Sequence, residues 1–322
     1  MRTIALEEHF ATAEFLKVTA YAETTSASPA HGRAACAQLL EVGDARIADM
    51  DAAGIDMQVL SLVNGGMDRL DAATAAALAL DANDELAAIV RSRPGRYAGF
   101  AALDLQQPEK AAAELERAVR QLGFKGAMIH GTVNGVFLDD PKFTPVFAAA
   151  QSLDVPVYLH PTTAPASVQQ AYFSGLPGRI DFILSRAAWG WHAELGMHCL
   201  RLIVSGLFDR FPKLQIIIGH MGENLPFSIA RADTVLARGA KHLQRRPAEY
   251  FHENFYITTS GYFTLPPFLC ALQVVGADRI MFSVDHPFSS NAEARAFLNA
   301  LPISPQDMEK VTHRNAERLL RL

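Results

Sequence analysis

The stretch TIALEEH, residues 3–9, is a short apolar run that ends abruptly in Glu7, Glu8 and His9. Two carboxylates and an imidazole at the mouth of a buried strand cost free energy unless something pairs with them. The same design recurs along the chain. MQVLSLV (57–63), YAGFAAL (97–103), GAMIHG (126–131), VPVYLHP (155–161), LQIIIGH (214–220), FYITTSG (255–261) and RIMFSVDH (279–286) have the length and content of strands. Most are continuous apolar runs rather than alternations, as parallel strands buried on both faces are.

Helical patterns fill the intervals. DARIADMDAAG (44–54) opens on an Asp cap and stops at Gly54. The Ala/Leu-rich stretch 71–95 ends at Pro94-Gly95, 107–123 carries an early Pro and a terminal Gly, and 141–154 precedes the fifth strand. Eight strand-then-helix units predict an α/β fold, a (β/α)8 TIM barrel, whose usual length is about 250 residues plus insertions. Insertions are expected after strand 1, where 11–43 reads as an irregular excursion, and after strand 5, over 162–200. An open doubly wound sheet competes, but no Gly-rich phosphate fingerprint follows the first strand. With no internal repeat or low-complexity linker, residues 1–322 read as a single domain.

Composition excludes several classes. The net charge is −5 and no basic stripe is present, which argues against nucleic acid and anionic membrane surfaces. Apolar tracts are broken by charge well short of a membrane span, and MRTIALEEHF is no secretory signal. Cys36, Cys199 and Cys270 are few and far apart, which suits a reducing cytoplasm and makes no disulfide framework.

A TIM barrel carries its chemistry at the C-terminal ends of its strands. Glu7 and His9 close the first strand, His130 the fourth, His160 the fifth, His220 the sixth and Asp285 the eighth. Residues i and i+2 of a strand share a face, so Glu7 and His9 are co-directed and Glu8 points away, either supporting the site from behind or, as is expected, forming a salt bridge on the outer face. With Glu7 and His9 facing the axis, His160 and Asp285 complete a mixed nitrogen–oxygen set for one divalent metal, Zn or Mn. His130 lines the pocket without binding metal. His31, His192, His198, His242, His252 and His313 fall in helical or loop stretches and are expected to be solvated or capping residues.

ALEEHF, YLHP, SGLFDRFPKLQIIIGHMGENLPF, NFYITTSG and FSVDHPF together resemble the amidohydrolase superfamily. They are most similar to its metal-dependent aromatic acid decarboxylases, the γ-resorcylate, 2,3-dihydroxybenzoate and 5-carboxyvanillate decarboxylases. The resemblance runs from Ile4 to about Leu320 and is most specific over Ser205–Phe227. It implies a TIM barrel, metal ligands at Glu7, His9, His160 and Asp285, and a catalytic His220 aided by Glu223. It further implies substrate contacts from Arg231, from Arg46, which in relatives can come from a neighbouring subunit, and from His130 and Phe288, a structural role for Glu194, and a dimer or tetramer. The sequence departs from the group in having Thr162 after HP, His286 after the metal Asp, and Gly131 after His130. Trp189 and Trp191 either wall an aromatic ring or pack outside the barrel.

The implied reaction is non-oxidative, reversible decarboxylation of an ortho-hydroxy aromatic acid. Asp285 would serve as proton donor as well as ligand, and no organic cofactor is needed. Two alternatives share the residues. The same ligands could activate water for hydrolysis or hydration of an ester, lactone or amide. A catalytically silent barrel would be expected to have lost ligands, and none is missing. Both 11–43 and the apolar surface around 162–200 are expected oligomer contacts.

Overall fold

The computed structural model describes residues 1–25 and 28–322. Its strands are β1 (Ile4–Phe10), β2 (Met57–Leu62), β3 (Tyr97–Gly99), β4 (Ala101–Ala102), β5 (Ala127–His130), β6 (Val157–His160), β7 (Ile216–Ile218), β8 (Phe255–Thr258) and β9 (Ile280–Met281). Every pairing is parallel, in the orders β1-β2-β3 and β4-β5-β6-β7-β8-β9. Phe100 alone separates β3 from β4. Its N–H donates to Leu60 (2.9 Å) and the next N–H, of Ala101, to Gly126 (2.9 Å), so one segment serves both sheets. At the other end the chain after β9 returns to β1. Asp285 N–H donates to the Glu7 carbonyl (3.0 Å) and His9 N–H to the His286 carbonyl (2.8 Å).

The helices up to β6 are α1 (Ala13–Val18), α2 (Tyr21–Thr24), α3 (Pro29–Leu40), α4 (Asp44–Ala52), α5 (Ala72–Ser92), α6 (Pro108–Arg120) and α7 (Thr144–Leu153). After β6 come α8 (Ala166–Tyr172), α9 (Ile180–Leu184), α10 (Gly190–Val204), α11 (Leu207–Arg210), α12 (Leu225–Leu236), α13 (Pro247–Asn254), α14 (Leu265–Val275), α15 (Asn291–Asn299), α16 (Pro305–Glu309) and α17 (Asn315–Leu320). The described residues of the stretch 11–43, expected to be irregular, therefore include three helices, residues 26 and 27 lying outside the described residues. The expected Asp44 cap is instead the first residue of α4, with Gly43 at the cap position. No helix among the described residues is long and apolar enough to cross a membrane.

Two apolar layers hold the sheets. Ile4, Leu6, Met57, Val59, Phe100, Met128, Tyr158, Ile217 and Met281 pack on one face of the strands, against Ala316 and Leu320 of α17. Ala5, Phe10, Leu60, Leu62, Ile129, Leu159 and Ile218 pack on the other, against the helices.

The register of β1 decides which polar groups join which layer. Ile4 pairs with Met57 and Ala5 with Gln58, but Glu8 pairs with Leu60 and His9 with Ser61. Leu6 and Glu7 thus share the position opposite Val59, a β-bulge. Side chains alternate with a period of two, so one extra residue exchanges the faces of everything beyond it. Without the bulge, Glu8 would follow Ile4 and Leu6 inward, and Glu7 and His9 would lie against the helices.

Asn83 shows how a helix pins a strand end. Buried on α5, it donates from Nδ2 to the Ala102 carbonyl (2.9 Å) and accepts from the Ala102 N–H at Oδ1 (2.8 Å). Asn83→Ala strands both groups, each costing roughly 1–3 kcal/mol when buried unpaired. Urea unfolding should show a clearly lower midpoint with an unchanged slope; an unchanged midpoint would mean the strand end is held by other contacts.

Candidate active site

Glu7 is fully buried at the centre of the polar group. Its Oε2 accepts from the Tyr158 and Ser260 hydroxyls. Its Oε1 meets no hydrogen-bond donor and faces His160 Nε2 at 3.3 Å. His160 donates from Nδ1 to the Pro161 carbonyl (2.8 Å), which places the proton there and leaves the Nε2 lone pair aimed inward. Burial, with His9 and His130 nearby, holds the His160 pKa well below the ordinary value, so the ring is neutral. His9 Nε2 stands 3.3 Å from Asp285 Oδ1 and is likewise without a hydrogen-bond partner. Donor atoms of Glu7, His9, His160 and Asp285 all lie within 4.8 Å of one another. Orphaned, buried, convergent donors of this kind fit a divalent cation.

His220 and Glu223 come from a strained turn after β7. His220, Met221, Glu223 and Asn224 all have positive φ, between 50° and 63°, with Gly222 at 86°. For residues with a Cβ, this left-handed region costs roughly 1–2 kcal/mol each. The turn brings His220 Nδ1 to 2.7 Å from Glu223 Oε1 and leaves Nε2 facing Asp285 Oδ2 (3.8 Å) and Glu7 Oε1 (3.9 Å). Burial opposes charge on His220, but the Glu7 and Glu223 carboxylates outweigh it and raise its pKa well above the ordinary value. Burial alone would raise Glu223; the His220 and His192 rings reverse this and hold it below the usual carboxylate range. Asp285 is also held low, because His220 and His9 overcome its burial.

These groups open into a cavity of about 650 Å³. Its floor includes His9, His160, His220 and Asp285. One wall comes from the helices after β1, through Tyr21, Thr25 and Gln38, and the other from the segment after β6, through Thr162, Phe182, Arg186 and Trp191. Phe288 lines it too, its ring 5.8 Å from that of His9. Trp191 is a wall, anchored from Nε1 to Thr163 Oγ1 (3.2 Å), whereas Trp189 is exposed. His130 faces a smaller adjoining chamber with Asn64 and Thr132, and burial, with His9 nearby, pushes its pKa down to about 3. Gly131 takes φ +26°, and a Cβ there would lie 2.1 Å from Thr162 Cγ2, so these two departures form one wedge of the wall.

Several expected placements are corrected. Arg46 does not line the cavity; α4 lies on the outer face of the sheet, and the guanidinium donates to Gln58 Oε1 (2.7 Å) and to the His9 carbonyl (2.7 Å). Arg231 is exposed on α12 and does not line the cavity either. The arginines that do are Arg69 and Arg186, which carried no motif to find them by. Glu8 forms no surface salt bridge. It is fully buried, accepts from the N–H groups of Val284 (2.8 Å) and His286 (3.3 Å) and from Gln58 Nε2 (3.2 Å), and burial pushes its pKa up to about 8. His192 and His198 are buried rather than solvated. His198 accepts at Nε2 from the Leu138 N–H (3.0 Å). His286 is absent from the cavity lining, although its neighbours Pro287 and Phe288 are present. Glu194 is buried and meets no hydrogen-bond donor, and desolvation, with Glu223 nearby, lifts its pKa to about 8.

The amidohydrolase family model matches residues 32–322, and the chain belongs to that family. Within it, the chain falls among the metal-dependent aromatic acid decarboxylases. It is 38% identical to the γ-resorcylate decarboxylase of Polaromonas sp. (strain JS666) over 330 residues, 99% of this chain and 98% of that protein. A crystal structure of the dihydroxybenzoic acid decarboxylase of Polaromonas sp. JS666, with manganese and the inhibitor 2-nitroresorcinol, superposes with a TM-score of 0.91 at 38% identity, covering 100% of this chain and 97% of that one. The 5-carboxyvanillate decarboxylase of Novosphingobium aromaticivorans, with manganese and 4-hydroxy-3-methoxy-5-nitrobenzoic acid, gives 0.92 at 34% identity, covering 100% and 96%.

Gly219 tests the role of Glu7. Its backbone is ordinary (φ −79°), but a Cβ there would lie 2.3 Å from Glu7 Oε2. Gly219→Ala should displace that carboxylate and weaken manganese binding about 10–100-fold, as disturbed support of a ligand does. Calorimetric titration with Mn2+ measures it; unchanged affinity in a folded variant would remove Glu7 from the ligand set.

Proposed function

We propose that this chain catalyses the metal-dependent, non-oxidative decarboxylation of an aromatic acid bearing an ortho hydroxyl. The observation that carries the proposal is the convergence of Glu7, His9, His160 and Asp285 beside His220 at the floor of a cavity of about 650 Å³. The full-length relatives named for such reactions support it. Glu7, His9, His160 and Asp285 would hold one divalent ion. Manganese in the related structures favours that metal, and zinc also suits the donor set. When bound, the ion supplies Lewis acidity and a template for the phenolic and carboxylate oxygens.

The residues divide the remaining work. Losing CO2 directly would leave an aryl carbanion, so the carboxylated ring carbon is protonated first. Asp285 delivers that proton, drawing it from His220, whose Nε2 faces Asp285 Oδ2 at 3.8 Å. The bond from the ring to the carboxylate then breaks, its electron pair returns to the ring, and aromaticity is restored as CO2 leaves. The ring is the electron sink, so no organic cofactor is called for. Glu223 fixes the His220 tautomer through Nδ1. Phe288 and Trp191 offer apolar faces to the ring. Arg69 and Arg186 supply positive charge within the cavity of the single chain. His130 contacts the substrate from the adjoining chamber.

The parallel edges joined through Glu7 and Asp285 support a closed (β/α)8 barrel, one domain over 1–322, with α1–α3 and α8–α9 as the insertions after strand 1 and strand 5. Free cysteines fit the cytoplasm. Tyr172, Trp189, Met197 and Phe227 are large, apolar and exposed, which supports a homo-oligomer. Light scattering should return a dimer or tetramer, and a monomer would remove that part of the reading.

The activity itself is tested by mass spectrometry. Manganese- or zinc-loaded protein is offered ortho-hydroxybenzoates, aminobenzoates and aryl esters in turn. CO2 release from an ortho-hydroxybenzoate, absent in Asp285→Asn, is the expected result. Ester cleavage without CO2 release would overturn it in favour of hydrolysis.

A further inference from the structure

We propose that His192 is a positioning residue for the catalytic pair His220–Glu223, holding Glu223 from the side opposite His220; the proposal rests on the decarboxylase reading for its kinetic consequence. His192 lies in the first turn of α10 and is 2% exposed. Its Nδ1 stands 2.7 Å from Glu223 Oε2, the mirror of the 2.7 Å contact between His220 Nδ1 and Oε1. One carboxylate is thus gripped by two imidazoles, one on each oxygen. The rings lie 4.9 Å apart, and both rest against Tyr262, at 5.4 Å and 6.0 Å.

The other nitrogen gives the arrangement its direction. His192 Nε2 is 2.9 Å from the Ala187 carbonyl, which can only accept. Both ring nitrogens therefore face acceptor oxygens. Ala187 lines the cavity beside Arg186. His192 is then a strut between the substrate wall and the carboxylate that aims His220. The close approach of α10 makes this reach feasible: a Cβ at Gly196 would lie 2.7 Å from the Glu223 carbonyl. Glu223 sits in the left-handed turn with φ 54°, so its side chain is anchored by these two bonds rather than by regular secondary structure. With one removed, the carboxylate is free to swing on the other, and His220 Nε2 loses its fixed bearing on Asp285.

Two substitutions separate this role from simple packing. His192→Phe keeps a ring of similar bulk and removes both ring nitrogens. His192→Asn keeps a donor near the Nδ1 position. In the metal-loaded enzyme, His192→Phe should lower kcat about 10–100-fold, the scale of a lost orienting partner, with KM within about threefold. His192→Asn should recover most of kcat. A readout independent of turnover is proton NMR of protein carrying nitrogen-15 histidine. The two ring N–H groups bound to the Glu223 oxygens should give two strongly low-field resonances in the parent; His192→Phe should abolish the one from Oε2 and shift the one from His220. Unchanged kcat and an unmoved second resonance in His192→Phe would overturn the proposal, and so would equal losses of kcat in the Phe and Asn variants. Should the parent release no CO2 from any acid, the decarboxylase reading fails alone, and the resonances still decide whether His192 holds Glu223.

Discussion

The structure is organised around the burial of one carboxylate. Glu7 has no access to solvent, and an ion in that position is tolerable only if its surroundings supply compensating donors or cations. They come from separate parts of the sheet: hydroxyls from Tyr158 on β6 and Ser260 after β8, and rings from His160 on β6 and His220 after β7. Its backbone is tied as firmly, since the Glu7 N–H donates to Ser283 Oγ (2.5 Å) and its carbonyl accepts from Asp285. Gly219 has no side chain where Oε2 passes. Four strands therefore meet on this group, and the same contacts that satisfy it bring the other convergent donor groups together.

A second expense is conformational. The turn His220–Asn224 runs through five successive left-handed residues, only one of them glycine. Strain of this kind survives where the surroundings over-determine it, and it clusters at functional sites. Here the compensation is visible. The turn exchanges backbone strain for a carboxylate gripped by two histidines and an imidazole aimed at Asp285.

Much of this is legible in the sequence, for a definite reason. Continuous apolar runs mark parallel strands, and ligand-type residues stand out where such runs stop. Glu7, His9, His160, His220 and Asp285 are all of that kind. What stays hidden depends on register and on three-dimensional approach. The bulge at Leu6–Glu7 leaves no compositional trace, so Glu8 looks like a surface residue although it is buried in a hydrogen-bond network with Gln58 and Val284. Arg46 and Arg231 carry motif resemblance, but a helix position does not reveal whether its side chain reaches a cavity beyond the neighbouring strand. His192 lies in an ordinary helical stretch, and only the packing of α10 against the turn gives it a partner. Residues 11–43 hide their helices behind a polar, small-residue composition.

The cavity is built from two sources with different obligations. Its floor stands on strand ends, where a shift of one residue exchanges the faces of the sheet. Its walls stand on α2, α3 and the 162–191 segment, which hold none of the four convergent donor groups. Lineages descended from such a scaffold can remodel the walls by insertion, deletion or exchange of whole helices while the floor is inherited intact. New ring specificities can then arise at the periphery, where contacts such as the close fit of Gly131 against Thr162 set the shape of the wall.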